Sequence, residues 1–159
     1  MSFKKFALVA SVFALAACGG SSESAPAAEE TAAAPAVETA PAAAAAVTGT
    51  THEIKMIGDE KGYRFEPANL TVKTGDAVKY VFVSGGPHNV AFEGATLSAD
   101  VKKQLDANFS AKMAELSSNM MLNAGESVTI SFANIPAGQY PYNCTPHLAM
   151  GMKGVITVQ

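Results

Sequence analysis

The sequence predicts an all-β fold, a sandwich of about seven to eight short antiparallel strands, with one helix inserted around residues 98–117. Three observations predict it. Short β-rich runs recur from His52 to the C-terminus, each ended by a Gly, Pro or Asp turn. A single stretch places its apolar residues three to four positions apart, as a helix does. Residues 18–50 have a composition that cannot build a core.

The chain divides into residues 1–17, 18–50 and 51–159. Lys4 and Lys5 precede the apolar run Phe6–Ala17, and Cys18 follows. A charged start, a short apolar run and small residues before a break describe a secretory signal peptide. The run is too short to span a bilayer, which takes about 20 apolar residues. Leu15-Ala16-Ala17-Cys18 resembles a bacterial lipobox, which would leave Cys18 as a lipid-modified first residue anchored to a membrane. Gly19 and Gly20, with no Asp after the Cys, resemble the sorting signals that lean toward the outer membrane in bacteria with two membranes. The expected location is periplasmic or otherwise extracytoplasmic. Residues 18–50 consist mostly of Ala, Pro, Gly, Ser, Thr and Glu and read as a disordered tether. A flexible chain of that length reaches about 30 Å.

The folded domain is expected to begin near Thr51. His52–Ile57 alternates before the Gly58–Gly62 turn. Tyr63–Glu66 is short and extended, and Leu70–Lys73 alternates up to Thr74-Gly75-Asp76. Val78–Val83 is a β-rich run broken by Ser84-Gly85-Gly86-Pro87, and His88–Phe92 resumes it. Val101, Leu105, Phe109, Met113 and Leu116 lie on one helical face, with Ser98 as cap and Asp100 in the first turn. Val128–Phe132 has strict period two; Tyr140–Cys144 and Gly154–Val158 are the last strands.

The chemistry concentrates in residues 144–152, Cys-Thr-Pro-His-Leu-Ala-Met-Gly-Met. Thiolate, imidazole and thioether form a soft donor set, and one Cys, two His and a weak axial Met suit an electron-transfer copper. The loop supplies Cys144, His147 and either Met150 or Met152, and lacks a second His. Of the three histidines, His52 opens the first strand and reads as a surface residue, which leaves His88. With Cys18 assigned to lipid, Cys144 is an unpaired thiol in an oxidising compartment, a state that invites oxidation unless a metal holds it.

Gly86-Pro87-His88-Asn89-Val90 resembles the first-ligand turn of plastocyanins, and Tyr140–His147 resembles the second ligand loop. The domain is similar to small blue-copper proteins (cupredoxins) of the plastocyanin and pseudoazurin type. That resemblance implies a Greek-key, cupredoxin-like sandwich and one copper ion cycling between Cu(I) and Cu(II). It implies the ligands His88, Cys144, His147 and Met152, because the four-residue gap from His147 matches the pseudoazurin loop. Met150 has the shorter gap of the amicyanin type and is the alternative axial ligand. Asn89 is the expected link between the two ligand loops. Partners would dock at an apolar patch where the His147 edge is exposed among Leu148, Ala149, Met150 and Pro87. The partners implied are redox proteins: a c-type cytochrome, a cytochrome complex, a terminal reductase or oxidase, or a reaction centre. Two departures stand out: Asn143 replaces the aromatic residue of plant plastocyanins, and their acidic cluster is reduced to Glu93.

The expected function is single-electron shuttling, with copper binding and delivery as the alternative. The tail contains neither Met nor His, which a labile delivery site would favour. Three histidines are too few for a multicopper oxidase or a copper nitrite reductase. The net charge is −3, and Glu23, Glu29, Glu30 and Glu38 all precede residue 51, so the domain has no basic face for nucleic acid.

Overall fold

The computed structural model describes residues 42–159. Its strands are β1 (Thr51–Asp59), β2 (Gly62–Glu66), β3 (Asn69–Val72), β4 (Ala77–Phe82) and β5 (Ala91–Phe92). After helix α1 (Ala99–Ala107) come β6 (Lys112–Ala114), β7 (Ser117–Ser118), β8 (Ser127–Ser131), β9 (Gly138–Asn143) and β10 (Lys153–Val158). The expected signal peptide and the lipid site Cys18 lie outside the described residues.

The strands form two sheets, in the orders β2-β1-β4-β8 and β3-β10-β9-β5-β7-β6. The described residues form ten strands, compatible with the seven to eight expected, since β5, β6 and β7 have only two or three residues each. The sandwich is not purely antiparallel. β1 runs parallel to β4, and β3 parallel to β10. Between β2 and β4 the chain visits the other sheet as β3, so it re-enters the first sheet in the direction of β1.

Alternation fixes what faces the core. On β4, Val78, Tyr80 and Phe82 are buried while Lys79 is exposed. On β9 and β10 the even-numbered residues point inward: Tyr140, Tyr142, Gly154, Ile156 and Val158. Tyr80, Tyr142 and Phe65 pack edge-to-face, with centroids 4.7–6.0 Å apart. A side chain at Gly154 would meet the Ala68 carbonyl at 1.9 Å, so only glycine fits there.

The helix is shorter than residues 98–117. Ser98 caps it, its Oγ accepting from Val101 N–H, and Asn108 ends it. The Asn108 amide donates to the carbonyls of Ser131 and Ala133, anchoring the end of α1 to the end of β8. Phe109 then leaves the helical path to bridge Ile130 and pack its ring on Phe92. Met113 is exposed on β6, and Leu116 is buried at φ 53°, so the four-residue spacing beyond Leu105 is not helical.

The domain also begins before Thr51. Ala45 N–H donates to Asn108 Oδ1, and Gln104 Nε2 donates to the Ala43 carbonyl. Thr48 and Gly49 N–H both donate to the Gly75 carbonyl, and Ala77 N–H donates to the Thr50 carbonyl. The last residues of the expected tether are thus a strap across the end of the sandwich where β1 and β4 start. The other end of β4 is about 17 Å away at the usual strand rise, where Phe82 meets His88 at 4.9 Å.

Candidate metal centre

Cys144 continues the inward phase of Tyr140 and Tyr142, so its sulfur points between the sheets. Its N–H donates to the Met152 carbonyl at 3.0 Å, which extends the β9–β10 ladder one step past Asn143 and Lys153. The chain between is a 3-10 turn, Thr145–Met150, started by Pro146 and ended by Gly151 at φ 84°, where a side chain would be strained. His147 N–H donates to the Cys144 carbonyl at 3.1 Å, and Met152 N–H to the His147 carbonyl at 3.2 Å. Met152 therefore returns in phase with Gly154 and Ile156 and is fully buried, whereas Met150 stands on the turn with 60% of its surface exposed.

His88 comes from the other side of the site. Its backbone exchanges hydrogen bonds with Met121 at 3.0 and 2.8 Å, and its Nε2 donates to the Ser84 carbonyl at 2.8 Å. A carbonyl can only accept, so the proton sits on Nε2 and the Nδ1 lone pair is free. That Nδ1 lies 3.6 Å from Cys144 Sγ, and His147 Nδ1 lies 3.4 Å from it. The ligating atoms of His88, Cys144 and His147 all fall within 4.8 Å of one another.

Asn89 joins the two segments. Its Oδ1 accepts from Thr145 N–H at 2.7 Å, and its Nδ2 donates to the hydroxyls of Thr145 and Ser117 at 3.1 Å each. Burial pushes the Cys144 thiol up, while the backbone amides of Asn89 and His147 favour the thiolate and oppose that rise. Burial lowers both histidines, and for His147 the neighbouring His88 adds to it. Both rings therefore favour the neutral form that a metal needs, and metal binding must displace the thiol proton.

The donors fit copper. The Nδ1 atoms of two histidines and a thiol converge in a site shut off from water, with the buried Met152 thioether just before β10. Cys144 is the free cysteine among the described residues.

Sequence reasoning missed Ser84, Met121 and above all Tyr63. The Tyr63 ring from β2 stacks on His147, with centroids 3.7 Å apart and planes 17° apart. Tyr63 covers one face of the His147 ring, and 5% of the His147 surface stays accessible. The rest of the expected patch is open: Leu148, Ala149, Met150 and Pro87 are all exposed.

Known proteins agree with this geometry. The profile of copper-binding proteins of the plastocyanin/azurin family matches residues 52–159. Plastocyanin of Nostoc punctiforme is 36% identical over 118 residues, 72% of this chain and 78% of its own length. The chloroplast plastocyanin of Tetradesmus obliquus is 37% identical over 115 residues, 72% of this chain and 71% of its own. Oxidised plastocyanin of Dryopteris crassirhizoma superposes with a TM-score of 0.53 at 28% identity, over 68% of this chain and 100% of that one. A reduced amicyanin mutant gives 0.50 at 29% identity, over 76% of this chain and 92% of that one. Sequence and architecture converge: this chain belongs to the plastocyanin/azurin family of copper-binding proteins.

Proposed function

We propose that the protein is a type 1 (blue) copper electron carrier, with His88, Cys144 and His147 as ligands and Met152 as the weak axial donor. One observation carries the reading: three ligating atoms of the right kinds meet within 4.8 Å in a buried site. Bound copper supplies a one-electron Cu(I)/Cu(II) couple. The chain holds its donors still, so little must rearrange when the charge changes. The Ser84 carbonyl fixes the tautomer of His88, and Asn89 ties the His88 strand to the Cys144 loop. Burial of Met152 and the exposure of Met150 favour Met152 as the thioether. Backbone amides beside the sulfur favour its thiolate and tune the potential.

The exposed Leu148, Ala149, Met150 and Pro87 form the docking face for a redox partner, such as a c-type cytochrome, a cytochrome complex, a terminal enzyme or a reaction centre. We place the protein outside the cytoplasm, held to a membrane by lipid on Cys18. A buried, rigid ligand set suits electron shuttling better than catalysis or copper delivery.

The test is direct. Purified protein with Cu(II) is expected to turn intensely blue and to show a reversible one-electron couple, and Cys144→Ser to abolish the colour. A colourless Cu(II) complex overturns the reading.

A further inference from the structure

We infer that Tyr63 is a positioning residue of the metal centre, its ring fixing the plane of the His147 imidazole, whose far nitrogen, unlike that of His88, has no hydrogen bond among the described residues. The inference rests on the reading of His147 as a ligand.

The two histidines present Nδ1 to the same sulfur but are held differently. The far nitrogen of His88 is bonded to the Ser84 carbonyl, and Phe82 meets its ring edge-on at 89°. Among the described residues, the one side-chain hydrogen-bond contact of the His147 ring is that of its Nδ1 with the Cys144 sulfur. His147 also sits on a 3-10 turn in a loop, an element with little rigidity of its own. Its ring is restrained on one face by the parallel ring of Tyr63 at 3.7 Å, while His88 meets it edge-on at 4.9 Å.

Tyr63 is itself fixed. It is the ladder partner of Gly58, and a side chain at Gly58 would come within 2.7 Å of its ring and 2.8 Å of Gly85 Cα. Glycine at that position lets the ring lie against the β1 backbone, and Gly58, Tyr63 and His147 follow in contact. Among the described residues the Tyr63 hydroxyl makes no hydrogen bond, so the ring alone carries the role.

The experiment compares the wild type with Tyr63→Phe, which keeps the flat face, and Tyr63→Val, which suits a strand and removes it. Tyr63→Leu stands in should the valine variant misfold. In copper-free protein, the His147 ring resonances by NMR are expected to be single and narrow for wild type and Tyr63→Phe. They are expected to be broadened or doubled for Tyr63→Val. In Cu(II)-loaded protein, Tyr63→Val is expected to change the visible and electron paramagnetic resonance spectra. It should also lose copper to a chelator about two- to tenfold faster, the worth of one aromatic pair, while Tyr63→Phe matches wild type. A valine variant identical to wild type in both measurements overturns the inference, as does a phenylalanine variant that behaves like valine. A wild type that gives a colourless Cu(II) complex while its copper-free ring behaves as described overturns the copper reading and leaves the positioning role standing.

Discussion

Asn89 and Thr145 hold each other through two hydrogen bonds, amide oxygen to backbone N–H at 2.7 Å and amide nitrogen to hydroxyl at 3.1 Å, across 56 residues of chain. They are the neighbours of His88 and Cys144, so the clasp sets the spacing of two ligands. Asn89→Ala removes the clasp and the bond to Ser117. It is expected to cost about 1–3 kcal/mol in denaturant unfolding of the copper-free protein and to shift the reduction potential by voltammetry. An unchanged potential would show that the ligand loops keep their register without it.

The two methionines give a paired prediction. Met152→Ala empties a buried site and is expected to destabilise the copper-free protein by about 2–5 kcal/mol and to move the potential strongly. Met150→Ala changes an exposed turn residue and is expected to stay within about 0.5 kcal/mol, with the potential nearly constant. The opposite ranking in voltammetry would make Met150 the axial ligand.

Acid sensitivity is expected at the far end of the sandwich. Buried Asp76 accepts from the N–H groups of Lys73 and Thr50 and from the His52 ring. The Lys73 bond, the His52 bond and the Thr50 bond hold its pKa down from 3.8 to about 2. A folded value below the unfolded one gives stability that is full above pH 3.8 and lost as the pH falls through about 2. Thermal unfolding of the copper-free domain against pH is expected to steepen over that window in wild type and to flatten there in Asp76→Asn.

The strap supplies the fourth test. A protein beginning at Thr51 loses the bonds from Ala45, Thr48 and Gly49 to Asn108 and Gly75. Compared with one beginning at Ala42, it is expected to melt lower by roughly 4–8 °C for each kcal/mol lost. Equal melting temperatures would return residues 42–50 to the tether.

Much of the site was legible because its chemistry is local. Cys144, His147 and Met152 are rare residue types at fixed spacing in one loop, and His88 was the histidine left over. Met152 turns inward because it follows the Gly151 turn and leads directly into β10, whereas Met150 still lies on the 3-10 turn. Tyr63 was illegible, since its stacking on His147 arises only when the β1–β2 hairpin folds beside a loop more than eighty residues later. The strap was hidden for a different reason. Its contacts are largely made by backbone N–H and C=O groups, which every residue carries, so an alanine-rich composition says nothing about them. The helix was overrun because Phe109, Met113 and Leu116 keep a helical spacing by coincidence, while Asn108 spends its side chain on β8.

The placement of the strap has a mechanical meaning. Any pull on the chain upstream first meets the side chains of Gln104 and Asn108, which hold Ala43 and Ala45, and then the bonds of Thr48, Gly49 and Thr50 to Gly75, Asp76 and Ala77. β1 is next in line and lies side by side with β4, pointing the same way, so its ladder is loaded in shear rather than unzipped. The Cys144–Met152 closure lies at the other end of the sandwich, away from these bonds. The candidate ligands His88, Cys144 and His147 are thus set apart from the end at which residues 42–50 join the fold.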